Sequence, residues 1–193
     1  MNRSMSWRTV DIVVAAAIAV AFGVVFWAWN QLWAAVTPVF AAIPPAQYLI
    51  SGVWLIPAVL CALVIRKPGA ALFGELVAAS VSTILGSQWG LDTLLSGAMQ
   101  GALAEIVFGA TLYANWNLGT AIVAAAGAAI GEWLHDMPIY YKDLALTDQL
   151  IIGVFMLVSG VIIAGIGSYW LTRALVQTGV LAQFPSGRTQ QRI

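Results

Sequence analysis

Four acidic side chains interrupt the apolar stretches of this sequence, and they are the groups whose chemistry most needs an explanation. They are Glu75, Glu105, Glu132 and Asp136, and no lysine or arginine lies deep in the same stretches. If these stretches cross a membrane, each ionised carboxylate costs about 2.5–3.5 kcal/mol near the bilayer centre even on lenient insertion scales. Bound protons or a cationic, donor-rich ligand would remove that cost. The acids therefore predict a ligand pocket or a proton pathway, and for any single glutamate a hydrogen bond that only fixes helix packing is the alternative.

Two further polar residues accompany the acids. Gln100 lies on the same stretch as Glu105, and His135, the only histidine, directly precedes Asp136. A lone histidine lacks the companion ligands of a typical zinc site, and the single cysteine, Cys61, forms no cysteine cluster, so no metal site is predicted. The chain has neither a Gly-x-Ser-x-Gly nucleophile elbow nor a glycine-rich phosphate loop with lysine. It is therefore predicted to be neither an enzyme nor an ATPase.

Tryptophans gather toward the same ends of the apolar stretches. They are Trp27, Trp29, Trp33, Trp54 and Trp133. Tryptophan faces bind flat heteroaromatic rings and cations well, although anchoring at the membrane surface is an equal alternative for Trp33. Together with the acids they predict a pocket for a planar cationic or amine-bearing ligand, with the proline-containing loop 37–47 as its cover. The predicted substrate-binding residues are Glu75, Gln100, Glu105, Trp54, Trp33, Glu132, His135 and Asp136.

The elements that must position these residues are membrane helices. Hydrophobic residues make up 61% of the 193 residues and charged residues only 8%, where soluble domains carry about 25% charged residues. About 20 apolar residues cross the hydrocarbon core, and six stretches qualify: roughly 11–36, 47–65, 69–86, 93–114, 118–137 and 149–175. The sequence predicts an all-α integral membrane protein with six transmembrane helices in residues 1–176, followed by a mobile cytoplasmic tail at 177–193.

The basic residues predict the orientation of these spans. Seven of the eight lysines and arginines fall at one end of a six-span arrangement, and only Lys142 falls at the other. Since cytoplasmic loops carry the excess of Lys and Arg, both termini are predicted to be cytoplasmic and the tryptophan-rich pocket to open outward. The net charge is zero, so no nucleic-acid partner is expected.

Small residues recur at four-residue spacing in the first span, at Ala15, Ala19 and Gly23. Such patterns allow helices to approach closely in lipid. The stripe is predicted to dock another membrane subunit, and packing inside the six-helix bundle is the equal alternative.

Over about residues 8–182 the chain resembles the substrate-binding S components of energy-coupling factor (ECF) transporters, most closely the YkoE type associated with thiamin and its hydroxymethylpyrimidine precursor. The six-span layout and the alanine-rich first helix carry the general likeness. The more specific motifs are Arg66-Lys67-Pro68-Gly69-Ala70-Ala71 leading to Glu75, Gln100-Gly101 leading to Ala104-Glu105, and Ser159-Gly160 in the last span.

The resemblance implies a vitamin-binding subunit in a bacterial plasma membrane. Such a subunit captures thiamin or a related pyrimidine from outside, then releases it inward with a transmembrane T component and ATPase subunits. ATP would be used by those partners, and this chain would carry no cofactor. A proton-coupled secondary carrier, in which the same glutamates relay protons, is the main alternative. A purely structural membrane subunit is a third, and a membrane enzyme is disfavoured by the missing nucleophile–base pair.

Overall fold

The computed structural model describes residues 5–188, and this part of the chain is helical without strands. Its α-helices are α1 (Thr9–Val36), α2 (Ile56–Ile65), α3 (Ala70–Ile84), α4 (Asp92–Ala110), α5 (Leu118–Tyr140), α6 (Leu146–Ser159), α7 (Gly167–Gln177) and the short α8 (Pro185–Arg188). Arg3 and Arg192, which contributed to the charge argument, lie outside the described residues, as does the last part of the predicted tail.

Five continuous helical segments are long and apolar enough to cross a bilayer. They are Thr9–Phe40, Pro44–Ile65, Asp92–Ala110, Leu118–Tyr140 and Leu146–Gln177. The remaining apolar helix, α3, has 15 residues, or about 22 Å at 1.5 Å per residue. All six predicted stretches are therefore helical, while a sixth crossing and the orientation of the bundle stay predictions.

Two of these segments depart from α-helical geometry where they touch. The 3₁₀-helical segment Pro44–Leu55 leads into α2, and the π-helical segment Gly160–Ile166 joins α6 to α7. Ser159 fastens them, because the Gly52 backbone N–H donates to its Oγ (2.8 Å) and that hydroxyl donates to the Leu49 carbonyl (2.8 Å). A Cβ on Gly52 would lie 2.4 Å from the Ser159 carbonyl oxygen, so only glycine permits this approach.

The small-residue stripe of α1 packs inside the bundle. Ala15, Ala19 and Gly23 are buried, and a Cβ on Gly23 would lie 2.4 Å from the Cβ of Val81 on α3. The prediction that this stripe is a docking face is therefore corrected, because the small side chains serve the close approach of α1 and α3. The exposed side of α1 carries Ala17 instead, with Ala21 one turn further.

The end of the bundle that holds the chain's first described residues is closed by polar contacts and by the tail. Asp11 accepts hydrogen bonds from Arg8 Nη2 (2.7 Å) and Lys67 Nζ (2.5 Å). Beyond α7 the chain turns back over this end, with Leu181 and Phe184 buried and the Ser186 hydroxyl donating to the Val64 carbonyl (3.0 Å). The described part of the predicted mobile tail is thus packed on the bundle.

Candidate ligand-binding site

A cavity of about 220 Å³ lies at the opposite end of the bundle. It is enclosed by the second half of α1, the 3₁₀ segment, α3, α4 and α5. Seven of the eight predicted substrate-binding residues line it: Glu75, Gln100, Trp54, Trp33, Glu132, His135 and Asp136. The structure therefore brings seven of the predicted residues together in one cavity, and Glu105 is the one that lies elsewhere.

Glu75 lies deepest and is fully buried. Its Oε2 accepts a hydrogen bond from the backbone N–H of Ala58 (3.0 Å), in the first turn of α2. The amides of a helix's first turn have no partner within their own helix, so this contact suits both groups. Its Oε1 has no hydrogen-bond partner among the described residues. Leaving a buried acceptor unsatisfied costs about 1–3 kcal/mol, so this oxygen is available for a donor that enters the cavity.

Glycines on α4 bring that helix against Glu75. A Cβ on Gly101 would lie 3.0 Å from the Cβ of Glu75, and a Cβ on Gly97 would lie 2.8 Å from that of Ala79. On the same helix, the amide of Gln100 lines the cavity, and its Nε2 donates to Ser96 Oγ (2.8 Å).

A second buried carboxylate comes from α5. Glu132 is 3% exposed, and the Ser51 hydroxyl on the 3₁₀ segment donates to its Oε2 at 3.4 Å. Gly131 allows this placement, since a Cβ there would lie 2.6 Å from the Met99 carbonyl oxygen on α4. Glu75 and Glu132 therefore reach the same cavity from different helices.

A cluster of polar groups from α4 and α5 lies next to them. His135 Nδ1 is 2.8 Å from Asp136 Oδ1, and its Nε2 is 3.2 Å from Asp92 Oδ1. The Tyr140 hydroxyl donates to the other oxygen of Asp92. An imidazole held between two carboxylates acts as a donor from both nitrogens when protonated. Asp92 was not predicted as a site residue, because in the sequence it only marks the start of α4, 43 positions from His135.

Aromatic rings form the remaining wall of the cavity. Trp54 lies 5.0 Å from Trp33 and 5.4 Å from Trp89 between ring centroids, and Trp33 lies 5.2 Å from Tyr48. The hydroxyls of Tyr48 and Tyr141 are hydrogen-bonded to each other. Trp89, Tyr48 and Tyr141 were not predicted, because sequence alone does not separate cavity rings from rings that anchor in the interface.

Asn30 holds the central ring of this wall in place. The Trp54 indole donates to Asn30 Oδ1 (3.0 Å), while Asn30 Nδ2 donates to Ser82 Oγ and Ser87 Oγ (3.3 Å each). Both the oxygen and the nitrogen of this amide are therefore hydrogen-bonded, and Asn30 orients the Trp54 ring in the ligand-free protein.

The other three predicted tryptophans lie outside the cavity. Trp29 donates to the Ile50 carbonyl (3.0 Å), Trp133 donates to the Gln149 carbonyl (2.8 Å), and Trp27 is 39% exposed. The first two join neighbouring segments, and Trp27 is at the surface of the bundle.

Glu105 is instead a helix cap at the other end of α4. Its carboxylate accepts from the backbone N–H groups of Gly69 (2.7 Å) and Ala71 (2.8 Å). These amides begin α3, where a negative charge also interacts favourably with the helix dipole. The uncompensated charge inferred from the sequence is therefore satisfied by backbone amides, which no pattern of side chains reveals.

The electrostatic character of the cavity follows from its lining. Four carboxylates face it, from Glu75, Asp92, Glu132 and Asp136, with His135 as the only basic side chain and no lysine or arginine among the lining residues. Within residues 5–188, no three His, Cys, Asp or Glu side chains are grouped in a metal-binding arrangement. The carboxylates and the aromatic ring faces of the lining are suited to a molecule that has hydrogen-bond donors, positive charge and a flat ring.

Comparisons with known proteins show that the relatives of this chain are membrane transport proteins. Residues 10–131 match a family described as the permease component of an ABC-type cobalt transport system. The chain is similar to the putative HMP/thiamine permease protein YkoE of Bacillus subtilis (strain 168), with 33% identity over 184 residues, 95% of this chain and 92% of that protein. It is also similar to a solved S-component of an ECF transporter, with 32% identity and a TM-score of 0.92 over 97% of this chain and 94% of the other.

Proposed function

Because the chain belongs to the S components of ECF transporters, we propose that it captures thiamin or its hydroxymethylpyrimidine precursor outside a bacterial plasma membrane. A T component and two ATPase domains would then drive release of the vitamin inward, with ATP consumed by those partners. The chain is a transport protein and not an enzyme.

The unpartnered Oε1 of Glu75 is the observation that carries the ligand proposal. Thiamin and hydroxymethylpyrimidine share an aminopyrimidine ring, whose exocyclic amine donates hydrogen bonds. The deep end of the cavity offers a carboxylate acceptor without a donor, beside the amide of Gln100. An aminopyrimidine placed there would satisfy Glu75 and present its ring to the aromatic wall.

The thiazolium half of thiamin suits the rest of the cavity. Its positive charge would be balanced by Glu132 and Asp136, with His135 holding the second of these acids in place. Trp33 and Trp54 present ring faces, which attract cations. Hydroxymethylpyrimidine lacks the thiazolium, so thiamin is proposed to use the whole cavity and the precursor only its deep end.

The orientation proposal follows from the two ends of the bundle. The cavity lies at the end of the bundle away from Arg66, Lys67 and Arg173. Because basic residues mark the cytoplasmic end of membrane helices, the cavity is proposed to open to the outside. With α3 as a short sixth span, both termini lie in the cytoplasm. The exposed side of α1 around Ala17 and Ala21 then replaces the buried stripe as the face proposed for the T component.

The ligand proposal is tested by titrating the purified chain with thiamin while recording tryptophan fluorescence. Binding next to Trp33, Trp54 and Trp89 should quench the emission, and hydroxymethylpyrimidine should do so more weakly. Oxythiamin, in which a carbonyl replaces the pyrimidine amine, is the matched control and should bind about 10- to 100-fold more weakly, since an acceptor then stands where the exocyclic donor would meet Glu75. If thiamin and its precursor leave the emission unchanged at micromolar concentration, the ligand assignment is wrong.

A proton-coupled carrier remains the second candidate, favoured by the hydrogen-bonded series from Asp92 through His135 to Asp136. The two functions differ in what the chain does alone. Liposomes that contain only this chain should bind thiamin without accumulating it under an imposed proton gradient. Accumulation in the absence of ATPase partners would favour the carrier.

A further inference from the structure

The four carboxylates of the cavity differ in how deeply they lie. Glu75 is fully buried, and Glu132 is 3% exposed. The side chains of Asp136 and Asp92 are 16% and 28% exposed. Asp92 is the first residue of α4 and is bonded to Tyr140, the last residue of α5, so it lies where these helices end. The two glutamates therefore belong to the deep part of the cavity, and the two aspartates belong to its mouth.

The donors beside the two aspartates are already hydrogen-bonded to them. His135 holds Nδ1 2.8 Å from Asp136 Oδ1 and Nε2 3.2 Å from Asp92 Oδ1. The Tyr140 hydroxyl donates to the other oxygen of Asp92. A negatively charged ligand group at the mouth would have to take these donors from the carboxylates, and a charge that leaves water without a partner costs free energy.

The mouth is also negative overall. Even when His135 is protonated, its one positive charge stands between two carboxylates. No lysine or arginine is found among the described residues that line the cavity, so no other side chain there offsets the excess. A ligand group that reaches the mouth therefore meets a negative field, which attracts cations and repels anions.

The proposed placement of thiamin determines which of its groups reaches the mouth. With the aminopyrimidine beside Glu75 and Gln100, the thiazolium follows outward and its hydroxyethyl substituent lies outermost. The free hydroxyl of this substituent can donate to a carboxylate. A phosphate ester at the same oxygen removes that donor, supplies mainly acceptors and adds about 1.5–2 negative charges at pH 7.

We propose that Asp92 and Asp136 select the unphosphorylated vitamin by repelling phosphate esters at the mouth of the cavity. This selectivity rests on the proposed function, because it requires thiamin to bind with its pyrimidine at Glu75. Each like charge within about 8 Å of the phosphate should lower its affinity by at least about tenfold in surroundings of intermediate polarity. Glu75 and Glu132 lie deeper, where they face the donor amine and the positive ring instead. The same cavity therefore attracts the cation and rejects its ester.

The test compares three ligands on the full chain by tryptophan fluorescence: thiamin, thiamin monophosphate and O-acetylthiamin. The acetyl ester enlarges thiamin at the same oxygen and also lacks the hydroxyl donor, but it adds no charge, so it separates charge from size. Thiamin monophosphate is expected to bind at least about 100-fold more weakly than thiamin. The acetyl ester is expected to bind within about tenfold of thiamin, since it loses one hydrogen bond.

Asparagine variants assign the effect to the mouth. Asp92→Asn keeps the side-chain shape and removes one charge, so the Kd for thiamin monophosphate should fall by about tenfold. Asp136→Asn should act in the same direction, and it decides the question if a thermal melt shows that Asp92→Asn is unfolded. Asp143→Asn is the matched control, because Asp143 is exposed in the α5–α6 connection and does not line the cavity. That variant should keep the original ratio of the Kd values for the monophosphate and thiamin.

Three results would overturn the selectivity and leave the proposed function in place. The monophosphate could bind as tightly as thiamin, or it could bind no more weakly than the acetyl ester, which would make size the cause. The third result is that Asp92→Asn and Asp136→Asn give the same ratio of Kd values as Asp143→Asn. If thiamin itself leaves the emission of the original chain unchanged, the proposed function is wrong, and the selectivity fails with it.

Discussion

At the scale of single residues, two glutamates that look alike in the sequence have different surroundings. Glu75 is buried with one oxygen unpartnered, at the deep end of the carboxylate-lined cavity. Glu105 is bonded to the amides that begin α3. Substitution by glutamine should therefore change ligand affinity in one case and folding stability in the other.

Glu75→Gln is expected to weaken thiamin binding by about 10- to 100-fold, the value of a hydrogen bond to a charged group. The glutamine carbonyl can still accept from Ala58, but its NH₂ group would meet the donor amine of the ligand. Since the change keeps the size and the hydrogen bond of a fully buried side chain, thermal stability should be kept. Titration by fluorescence and a thermal melt of the same preparation measure both. Unchanged affinity would remove Glu75 from the ligand contacts.

Glu105→Gln is expected to leave thiamin affinity within about twofold and to lower the free energy of unfolding by roughly 1 kcal/mol, the usual effect of weakening a helix cap. Glutamine keeps one acceptor for the amides of Gly69 and Ala71 but loses the second acceptor and the charge. A melt in detergent measures the loss. A large drop in affinity without loss of stability would return Glu105 to the binding site.

At the scale of elements, the apolar stretches predicted the helices well because length and hydropathy decide them. The stretch predicted at 118–137 became Leu118–Tyr140, and that at 69–86 became Ala70–Ile84. The helix type inside a stretch was not predicted, because the 3₁₀ segment Pro44–Leu55 and the π-helical turn depend on each other through Ser159. The sequence also did not decide whether the small-residue stripe of α1 faces the inside of the bundle or another subunit, since such a stripe suits both kinds of neighbour.

Gly52→Ala should test this contact between the two irregular segments. The added methyl would lie 2.4 Å from the Ser159 carbonyl oxygen, and overpacking of this kind typically costs about 1–3 kcal/mol. Gly167→Ala is the matched control, because its nearest neighbour would be the Ile162 carbonyl oxygen at 3.9 Å. That variant should be neutral, or more stable by up to about 1 kcal/mol through helix propensity. Equal melting temperatures for the two variants would contradict the described packing.

At the scale of the whole molecule, the two ends have opposite character. One holds the cavity lined by carboxylates, and the other holds a smaller cavity, of about 110 Å³, whose lining includes Arg66 and Arg173. The sequence predicted this separation because charges at helix ends can be assigned to sides once the spans are counted. It could not predict that Glu105 belongs to the basic end or that Asp92 belongs to the acidic one, since each depends on a neighbour more than 30 positions away.

The predicted orientation can be tested with single cysteines. The natural Cys61 is fully buried, so the unmodified chain should not react with a membrane-impermeant maleimide and serves as the blank. Lys142→Cys should be labelled in intact cells. Arg173→Cys should be labelled only after the membrane is opened. The reverse pattern would invert the bundle, so that the carboxylate-lined cavity would open to the inside.

The 3₁₀ geometry of Pro44–Leu55 also determines which side chains it directs at the cavity. Tyr48 and Trp54 line the cavity, and Ser51 between them binds Glu132. These residues are three positions apart, and a helix with three residues per turn aligns them in one row. In an α-helix, at about 100° per residue, Trp54 would be rotated by roughly 120° from Tyr48. Tyr48, Ser51 and Trp54 therefore face the cavity together only while this segment stays a 3₁₀-helix.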